Sequence, residues 1–520
     1  MYNKCKLNQL IQVKPVTKNK IGVIFIKKFF IFLAVILLLG LVLTSCGDTN
    51  NSANPNNPQN NSTTGESGDS ETTTEKILPN VPDKDWGGYE FTILGNSTAY
   101  NSYWYSKDVY VEEETGDAIN DAVYARNRAV EEKYNITING VFTGNQYNDA
   151  RKSMISGDNT YDMFTVPLQG ATAQLAQNGL LMDLKKVPYV ELDKPWWDQR
   201  ANQQLSIGNK LMFTISDFLI IDKDALFIFL FNKDVIQEFG LEDPYQLVKN
   251  GVWTIDKMWD MAKDIPKDVN GDGIMDDKDA YRLLTAGHTI HGNIVSSGHF
   301  VIVKDQEDMP VLNIADPMIL ASYEKWLSMM NDRNNTWVAQ DWASRYADIW
   351  MYQLEVLSEK RALWLYAGMD RVTTLRTFDF NFGILPNPKF NESQTEYFNH
   401  VHAWCTTAIS VPATSPEPER TGMILEALTG ESYYTLRPAY YDVSLKTKFM
   451  RDDESGEMLD LIFNTRCYDL GHVYNWGGVF DMFCKLPLAK NQEFVSAYEK
   501  ILPKIESDMQ KAIDNFLETD

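Results

Sequence analysis

The alternation of short strand-like and helix-like segments after residue 85 restricts the fold of this chain more than any other feature. Residues 89–94 read as a strand, and the capping sequence at 115–117 opens a helix with apolar residues at helical spacing. A second strand at 136–142, a helix at 149–156 and a third strand at 162–166 follow. Strands that alternate with helices in this order predict an α/β lobe with a largely parallel sheet.

The rest of the chain continues this pattern without a long linker. Residues 211–231 form two strand-like runs separated by Asp222, Lys223 and Asp224, and the second run is apolar throughout, as is typical of a strand buried on both faces. Capping patterns and apolar runs predict helix starts at Asn232, Thr254, Asp316 and Ser415, strands at 361–366 and 380–385, and a final amphipathic helix interrupted at Pro503.

The N-terminal segment, residues 1–45, reads as a signal peptide. Lys27 and Lys28 precede an apolar run at 29–43, and the tripeptide Leu-Thr-Ser stands directly before Cys46. This pattern resembles the bacterial lipoprotein box, which implies cleavage before Cys46 and lipidation of its thiol, with palmitate as an expected acyl group. The alternative is an uncleaved membrane anchor, but the apolar run is shorter than the ~20 residues that a spanning helix needs.

Residues 46–80 are predicted to be a disordered tether between the lipid and the folded body. Residues 47–76 contain no aromatic or large aliphatic side chain, so no apolar burial would offset the entropy of ordering them. The predicted mature chain therefore places its folded part above a membrane surface.

Charge and cysteine content narrow the classes of function. The signal segment carries seven lysines and no acidic residue, so 41 basic and 71 acidic residues remain, a net charge near −30. Such a surface argues against nucleic-acid binding and disfavours an anionic ligand. The remaining cysteines, Cys405, Cys467 and Cys484, match neither a redox pair nor a zinc spacing, and we expect buried thiols rather than disulfides.

Five stretches, in this order, resemble a known family: 174–184, 231–241, 253–262, 361–368 and 382–411. They are similar to the extracellular solute-binding lipoproteins of ABC importers, carbohydrate-binding family 1, the maltose-binding-protein-like group. The resemblance implies a periplasmic-binding-protein-like (type II) α/β fold of two lobes joined by hinge crossovers. The lobe ranges that it implies are 84–220 with 375–430 for the first lobe and 221–374 with 431–520 for the second.

Residues 268–279, DVNGDGIMDDKD, follow the pattern of a twelve-residue calcium loop with Gly273 at the sharp turn. The predicted oxygen ligands are Asp268, Asn270, Asp272, the carbonyl of Ile274, Asp276 and Asp279. Aspartate at position twelve resembles dockerin-type loops and leaves bidentate closure open. The alternative is an acidic surface turn without an ion. We predict structural Ca²⁺.

Aromatic rings and charged side chains near strand ends are candidates for contacts with a sugar, because flat rings stack on apolar sugar faces and carboxylates bind hydroxyls. The candidates are Trp404, Asp217, Trp364, Tyr366, Asp370, Arg371 and Trp476, of which Trp476 resembles a stacking position near the C-terminus of the family. Packing in the core is the alternative for each of them. The pattern names no particular sugar and leaves a peptide ligand open.

No catalytic signature is evident. The sequence has no GxSxG elbow, HExxH pair or P-loop. His288 and His291 have helical spacing without an evident acidic third ligand, and His400 and His402 share one side of a strand. We therefore predict a monomeric, non-enzymatic binding protein that is anchored by lipid to the outer face of the cell membrane and delivers a carbohydrate to ABC permease subunits. An anchored glycoside hydrolase and a surface glycan-adhesion protein remain the alternatives.

Overall fold

The computed structural model describes residues 76–265, 267–447, 453–489 and 493–518. The strands within these ranges are β1 (Tyr89–Asn96), β2 (Ile136–Thr143), β3 (Met163–Pro167), β4 (Phe227–Asn232), β5 (Tyr281–Thr285), β6 (Ile302–Lys304), β7 (Pro310–Leu312), β8 (Thr336–Val338), β9 (Ala362–Gly368), β10 (Phe382–Leu385), β11 (Asn399–His400), β12 (Thr407–Ser410) and β13 (Arg466–Cys467). Nine of these strands form two separate main sheets, and the other four form the two-stranded pairs β6–β7 and β11–β13.

The α-helices, numbered along the chain, connect and cover these strands. They are α1 (Ala118–Tyr134), α2 (Gln146–Ser156), α3 (Ala173–Gln177), α4 (Gln199–Gln204), α5 (Ile221–Asp224), α6 (Lys233–Glu238), α7 (Pro244–Lys249), α8 (Ile255–Met261), α9 (Ile290–Val295), α10 (Pro317–Asn331), α11 (Ala339–Trp342), α12 (Ile349–Ser358), α13 (Asp370–Leu375), α14 (Pro418–Tyr434), α15 (Leu436–Pro438), α16 (Asp453–Asn464), α17 (Leu470–Tyr474), α18 (Val479–Lys485) and α19 (Phe494–Glu518).

The first sheet has the strand order β12-β3-β1-β2. β1 runs parallel to β2 and to β3, as the βαβ pattern predicts, while β12 is antiparallel to β3. β3 is buried along its whole length. The three parallel strands therefore direct their carboxyl ends toward the same edge of the first lobe.

The second sheet has the order β10-β4-β9-β5-β8. β5 is parallel to β8 and β9, whereas β4 is antiparallel to its neighbours β9 and β10. The pairing of β10 corrects the predicted return of the chain to the first lobe near Leu375. Its register, with Phe382 opposite Asn232, keeps it in the second sheet, and among the later strands that the structure describes only β12 joins the first sheet.

The first of the two strand-like runs, at 211–221, also differs from its prediction. The run before Asp222 is not a ladder strand: Thr214 forms an isolated bridge with Ile409, and Ser216 forms another with Trp197. The helix α5 then precedes β4. A segment that is buried on every side has the same apolar sequence pattern as a buried strand. The pattern therefore indicates burial but does not show whether the backbone pairs with a neighbouring strand.

Helix capping explains why most predicted helix starts are confirmed. Asp117 accepts hydrogen bonds from the backbone N–H groups of Ile119 and Asn120, and Asn232, Thr254 and Asp316 cap α6, α8 and α10 in the same way. The helix expected after Ser415 begins at Pro418, because proline suits the first helical turn. The final helix runs through Pro503 without interruption, since its apolar face is held by burial of residues such as Ile505.

Trp196 and Trp197, which precede α4, are a buried packing pair. Their indole nitrogens donate to the two carboxylate oxygens of Glu426 on α14, at 2.8 and 3.1 Å. Burial raises the pKa of Glu426 to about 7, although these donors and the N–H of Glu191 oppose the rise. The carboxyl group of Glu426 therefore links α14 to the segment that precedes α4.

The predicted signal peptide (1–45), the lipidation site Cys46 and most of the tether (46–80) lie outside the described residues. The last residues of the tether pack on the body: Tyr434 on α14 donates a hydrogen bond to the carbonyl of Ile77 at 2.8 Å. Cys405 and Cys467 are buried and Cys484 is partly buried, and all three are free thiols as predicted. Within the described ranges, no helix is long and apolar enough to cross a membrane.

Candidate ligand-binding site

A pocket of about 420 Å³ lies at the carboxyl ends of the parallel strands of the first sheet. β1, β2 and β3 end at Asn96, Thr143 and Pro167, and the segments that follow each strand form most of the wall. In open α/β sheets this edge is where ligands bind, because the loops after parallel strands converge there. Residues that carry its chemistry are Tyr100, Gln169, Gln174, Trp404, Asn475 and Asp481.

Trp404 presents an aromatic face to this pocket. Its side chain is 40% exposed, and its ring centroid lies 5.9 Å from that of Tyr100 at an interplanar angle of 33°. The residue lies in the turn before β12 rather than in a strand, and the N–H of Gln169 holds that turn by donating to the carbonyl of Ala403 at 2.9 Å. An exposed ring beside several amides suits a neutral ligand with apolar faces and many hydroxyl groups.

Trp476, the strongest sequence candidate, lies behind the wall of this pocket. Its ring is 2% exposed and stacks on Tyr474, with centroids 4.6 Å apart and an interplanar angle of 2°. Its indole nitrogen donates to the amide oxygen of Gln177 at 3.2 Å, and Gln177 does line the pocket. Trp476 is therefore placed to orient a pocket amide and the ring of Tyr474.

Asp370 and Arg371 lie at the carboxyl end of β9, on the second lobe. The guanidinium group of Arg371 lies 4.5 Å from the ring centroid of Tyr103, which belongs to the segment after β1, and the Tyr103 hydroxyl donates to Asp348 at the start of α12. Burial raises the pKa of Asp370 to about 6, against the opposing charge of Arg371. Arg371 thus belongs to a contact between the lobes, and Asp370 is the buried carboxyl group beside it.

Asp217 lines a different pocket, of about 390 Å³, beside the first crossing. Its carboxylate lies 3.8 Å from Lys223 and 3.6 Å from Arg437, and in the same pocket Arg466 donates to Asp198. Burial raises the pKa of Asp217, while Lys223 and Arg437 oppose that rise. The structure therefore does not bring Asp217 together with Trp404.

Trp364 and Tyr366 are corrected from ligand contacts to core residues. Both lie on β9, where Trp364 is 0% exposed and donates its indole N–H to the carbonyl of Met258 at 2.9 Å. Tyr366 is 2% exposed and stacks on Phe229, with centroids 4.9 Å apart. Because β9 is a central strand covered on both faces, neither ring has a surface on which a ligand can stack.

The residues that sequence reasoning missed follow the ends of strands. Tyr100 comes after β1, and Gln169, Gln174 and Gln177 come after β3. The carboxyl-end rule for open sheets would have found them if it had been applied to β1 and β3 rather than to the most conspicuous tryptophans. Amide side chains are common in loops, so the presence of glutamines did not by itself indicate a binding site.

The acidic loop at 268–279 folds around its own backbone. The two carboxylate oxygens of Asp268 accept from the N–H groups of Gly271 and Gly273 at 2.6 and 2.8 Å. Asp279 accepts from Val269 and Asp276 at 3.2 and 2.7 Å, closing the first and last residues of the loop against each other. Asp268 and Asp279 therefore direct their carboxylate oxygens to backbone N–H groups of the loop, and calcium binding stays a prediction.

Comparison with known proteins identifies the family. The family model described as bacterial extracellular solute-binding protein matches residues 126–436, which is more than half of the chain. The chain belongs to this family. Family membership therefore places the folded part outside the cytoplasm.

Solved structures of low sequence identity share the fold of this solute-binding protein. An ABC substrate-binding protein, Lmo0181 from Listeria monocytogenes, in complex with cycloalternan, is 12% identical over 83% of this chain and 99% of its own, with a TM-score of 0.50. A cyclo/maltodextrin-binding protein complexed with maltotetraose is 14% identical over 82% and 97%, with a TM-score of 0.52. UspC from M. tuberculosis is 14% identical over 81% and 100%, also with a TM-score of 0.52. No curated protein sequence matches the chain. The fold is the two-lobed periplasmic-binding-protein-like fold.

Proposed function

We propose that this solute-binding protein captures a neutral oligosaccharide in the pocket beside Trp404 and delivers it to the permease of an ABC transporter. The observation that carries the proposal is the composition of that pocket: an exposed tryptophan and three tyrosines stand beside four glutamines at the carboxyl ends of parallel strands. Rings bind the apolar faces of sugars, and amides donate to and accept from hydroxyl groups.

Two further observations support a sugar as the ligand. Two structural neighbours are complexes with sugars, cycloalternan in one and maltotetraose in the other. The chain also has a formal net charge of −23, which disfavours an anionic ligand and leaves a neutral one unaffected.

The mechanism we propose is closure of the two lobes over the ligand. A ligand that contacts both lobes stabilises the closed form by its differential affinity for that form. The contact of Tyr103 with Arg371 and Asp348 lies between the lobes and would add to this stabilisation. ATP hydrolysis belongs to the transporter, so the proposed role of this chain requires no catalytic group.

Lipid attachment at Cys46 completes the proposed role, because it would keep the protein near its permease. Replacing Cys46 by Ser should release the protein into the medium and leave its affinity for sugar unchanged. Fractionation of membranes and medium, followed by a binding measurement on both forms, tests this expectation. A variant that stays on the membrane would contradict lipidation at this residue.

The experiment that tests capture is titration calorimetry of the purified chain with maltotetraose and other neutral oligosaccharides, followed by chromatography of the sugar after several hours. We expect one ligand to bind per chain and to be recovered intact. Release of new reducing ends would instead favour a glycoside hydrolase. Binding only to insoluble polysaccharide would favour an adhesion protein.

A structural Ca²⁺ ion in the loop at 268–279 is a second proposal. It is supported by the hard oxygen donors of this loop and by the closure of Asp279 against its first residues. EDTA should lower the melting temperature of the wild type, and added Ca²⁺ should restore it. Asp272→Asn should reduce this response, whereas Asp305→Asn, in a separate acidic turn, should not. An unchanged melting temperature in the wild type would remove the proposal.

A further inference from the structure

Five of the six histidines of the chain meet in the interior, although the sequence separates them widely. The five are His288, His291, His400, His402 and His472, and each ring lies within 5.4 Å, centroid to centroid, of another. The sixth, His299, lies elsewhere and faces Asp316 at 3.5 Å. Neither the sugar pocket nor the calcium loop includes any of the five histidines.

Three of these rings converge closely. One nitrogen each of His291, His400 and His472 lies within 4.8 Å of the others. Nδ1 of His472 is 3.2 Å from Nε2 of His400. Two nitrogens bound to one tetrahedral zinc ion at ~2.0–2.1 Å are separated by roughly 3.3–3.4 Å, so this pair already has the spacing of metal ligands.

The three converging imidazoles are buried, and three of their six ring nitrogens have no hydrogen-bond partner among the described residues. The three residues are 0–1% exposed. Both nitrogens of His291, both of His402 and Nε2 of His472 make no hydrogen bond to any residue in the described ranges. A buried polar atom without a partner is unfavourable, and a metal ion would satisfy several of these lone pairs at once.

The surroundings also resemble those of a structural metal site. Nε2 of His291 lies 3.7 Å from a carboxylate oxygen of Asp469, and a carboxylate behind a metal-bound histidine orients its ring. The ring of Phe480 stacks on His472, with centroids 3.8 Å apart, and closes one side of the cluster. Burial lowers the pKa of all three imidazoles, which keeps them neutral and their lone pairs available.

We propose that His291, His400 and His472 bind one divalent transition-metal ion, with Zn²⁺ as the best-suited ion. Imidazole nitrogen suits zinc, copper and nickel rather than calcium or magnesium. The ion would have a structural role, because the ligands are shielded from solvent. It would join α9 of the second lobe, β11 on the segment that returns to the first sheet, and α17 of the C-terminal region.

The test uses the full chain without a polyhistidine tag, unfolded in denaturant with a chelator and refolded with one equivalent of ZnCl₂ or CoCl₂. After desalting, we expect about one metal ion per chain in the wild type and the visible absorption of tetrahedral cobalt with nitrogen ligands. His400→Gln and His472→Gln should each retain less than about a tenth as much metal. His299→Gln is the matched control and should retain as much as the wild type.

Two results would overturn the proposal. The first is a refolded wild type that retains no metal after desalting, or whose cobalt spectrum is octahedral. The second is retention of wild-type amounts of metal by both cluster variants. The cobalt spectrum of the wild type decides the matter even if a variant fails to fold. Because no sugar is added, the outcome is independent of the proposed transport function.

Discussion

Replacing Trp404 by Ala should weaken sugar binding by an amount that follows from its exposure. A fully exposed tryptophan presents up to about 250 Å². The 40% that is exposed at Trp404 therefore offers roughly 100 Å² to a ligand. At about 25 cal/mol per Å², covering half or all of this area contributes about 1.2–2.5 kcal/mol, or an increase in Kd of roughly 8- to 70-fold on truncation.

Titration calorimetry with the oligosaccharide that binds best, maltotetraose being the first probe, measures this change directly. Trp404→Phe keeps a flat ring and should lose only part of the affinity. Phe239→Ala is the matched control, because Phe239 is 39% exposed on the second lobe and lines none of the described pockets. A Kd for Trp404→Ala within about threefold of the wild type would refute the stacking role, provided that both proteins melt at the same temperature.

Three other predictions concern the pH dependence of stability, a buried ion pair and lobe closure. The pKa of Glu426 is raised from 4.5 to about 7 in the folded state. Between pH 4.5 and 7 the folded chain therefore holds a proton that the unfolded chain has released. In chemical denaturation, the free energy of unfolding of the wild type should fall by up to about 3 kcal/mol between pH 4.5 and 7, relative to that of Glu426→Gln. If the free energies of unfolding of the two proteins change in parallel with pH, this prediction is wrong. Asp198→Ala removes a buried carboxylate, leaves the partly buried Arg466 without its closest partner and should lower the free energy of unfolding by about 3–5 kcal/mol. Asp183→Ala removes a buried carboxylate that caps the short 3-10 turn Leu184–Lys186 by accepting from the N–H of Lys185, and it should lower the free energy of unfolding by only about 1 kcal/mol. Equal losses in the two variants would refute the role of the charge. Tyr103→Phe removes a hydroxyl that bridges the lobes and should raise the Kd for sugar by about five- to tenfold in calorimetry, whereas an unchanged Kd would exclude its contribution to closure.

Local features of the fold could be predicted from the sequence because their causes are local. Asp117 and Thr254 cap the helices that follow them, and the apolar period of each helix comes from neighbouring residues. The parallel pairing of β1, β2 and β3 could be predicted because helices connect these strands. The membership of β10 could not be predicted, since its partner β4 lies about 150 residues earlier and a strand of either sheet has the same apolar pattern.

The binding site could be predicted only in part, because the sequence does not show which aromatic side chains are buried in the folded protein. Trp364 and Trp404 are the same residue type beside similar apolar residues in the sequence, yet Trp364 is enclosed by β4 and β5 and Trp404 is exposed in a turn. Only the positions of distant strands distinguish them. The histidine cluster was even harder to predict from the sequence, because residues 291, 400 and 472 share no local pattern and meet only through tertiary packing.

The antiparallel pairing of β12 with β3 has a consequence for how the first lobe forms. Residue 165 pairs with residue 409, so the first sheet cannot be completed until most of the chain, including the whole second sheet, has been synthesised. Contacts of such large sequence separation slow folding, because a long loop must close before the pairing stabilises it. For a chain of an extracellular family, late completion of this lobe would keep the nascent chain unfolded, and able to cross the membrane, for longer.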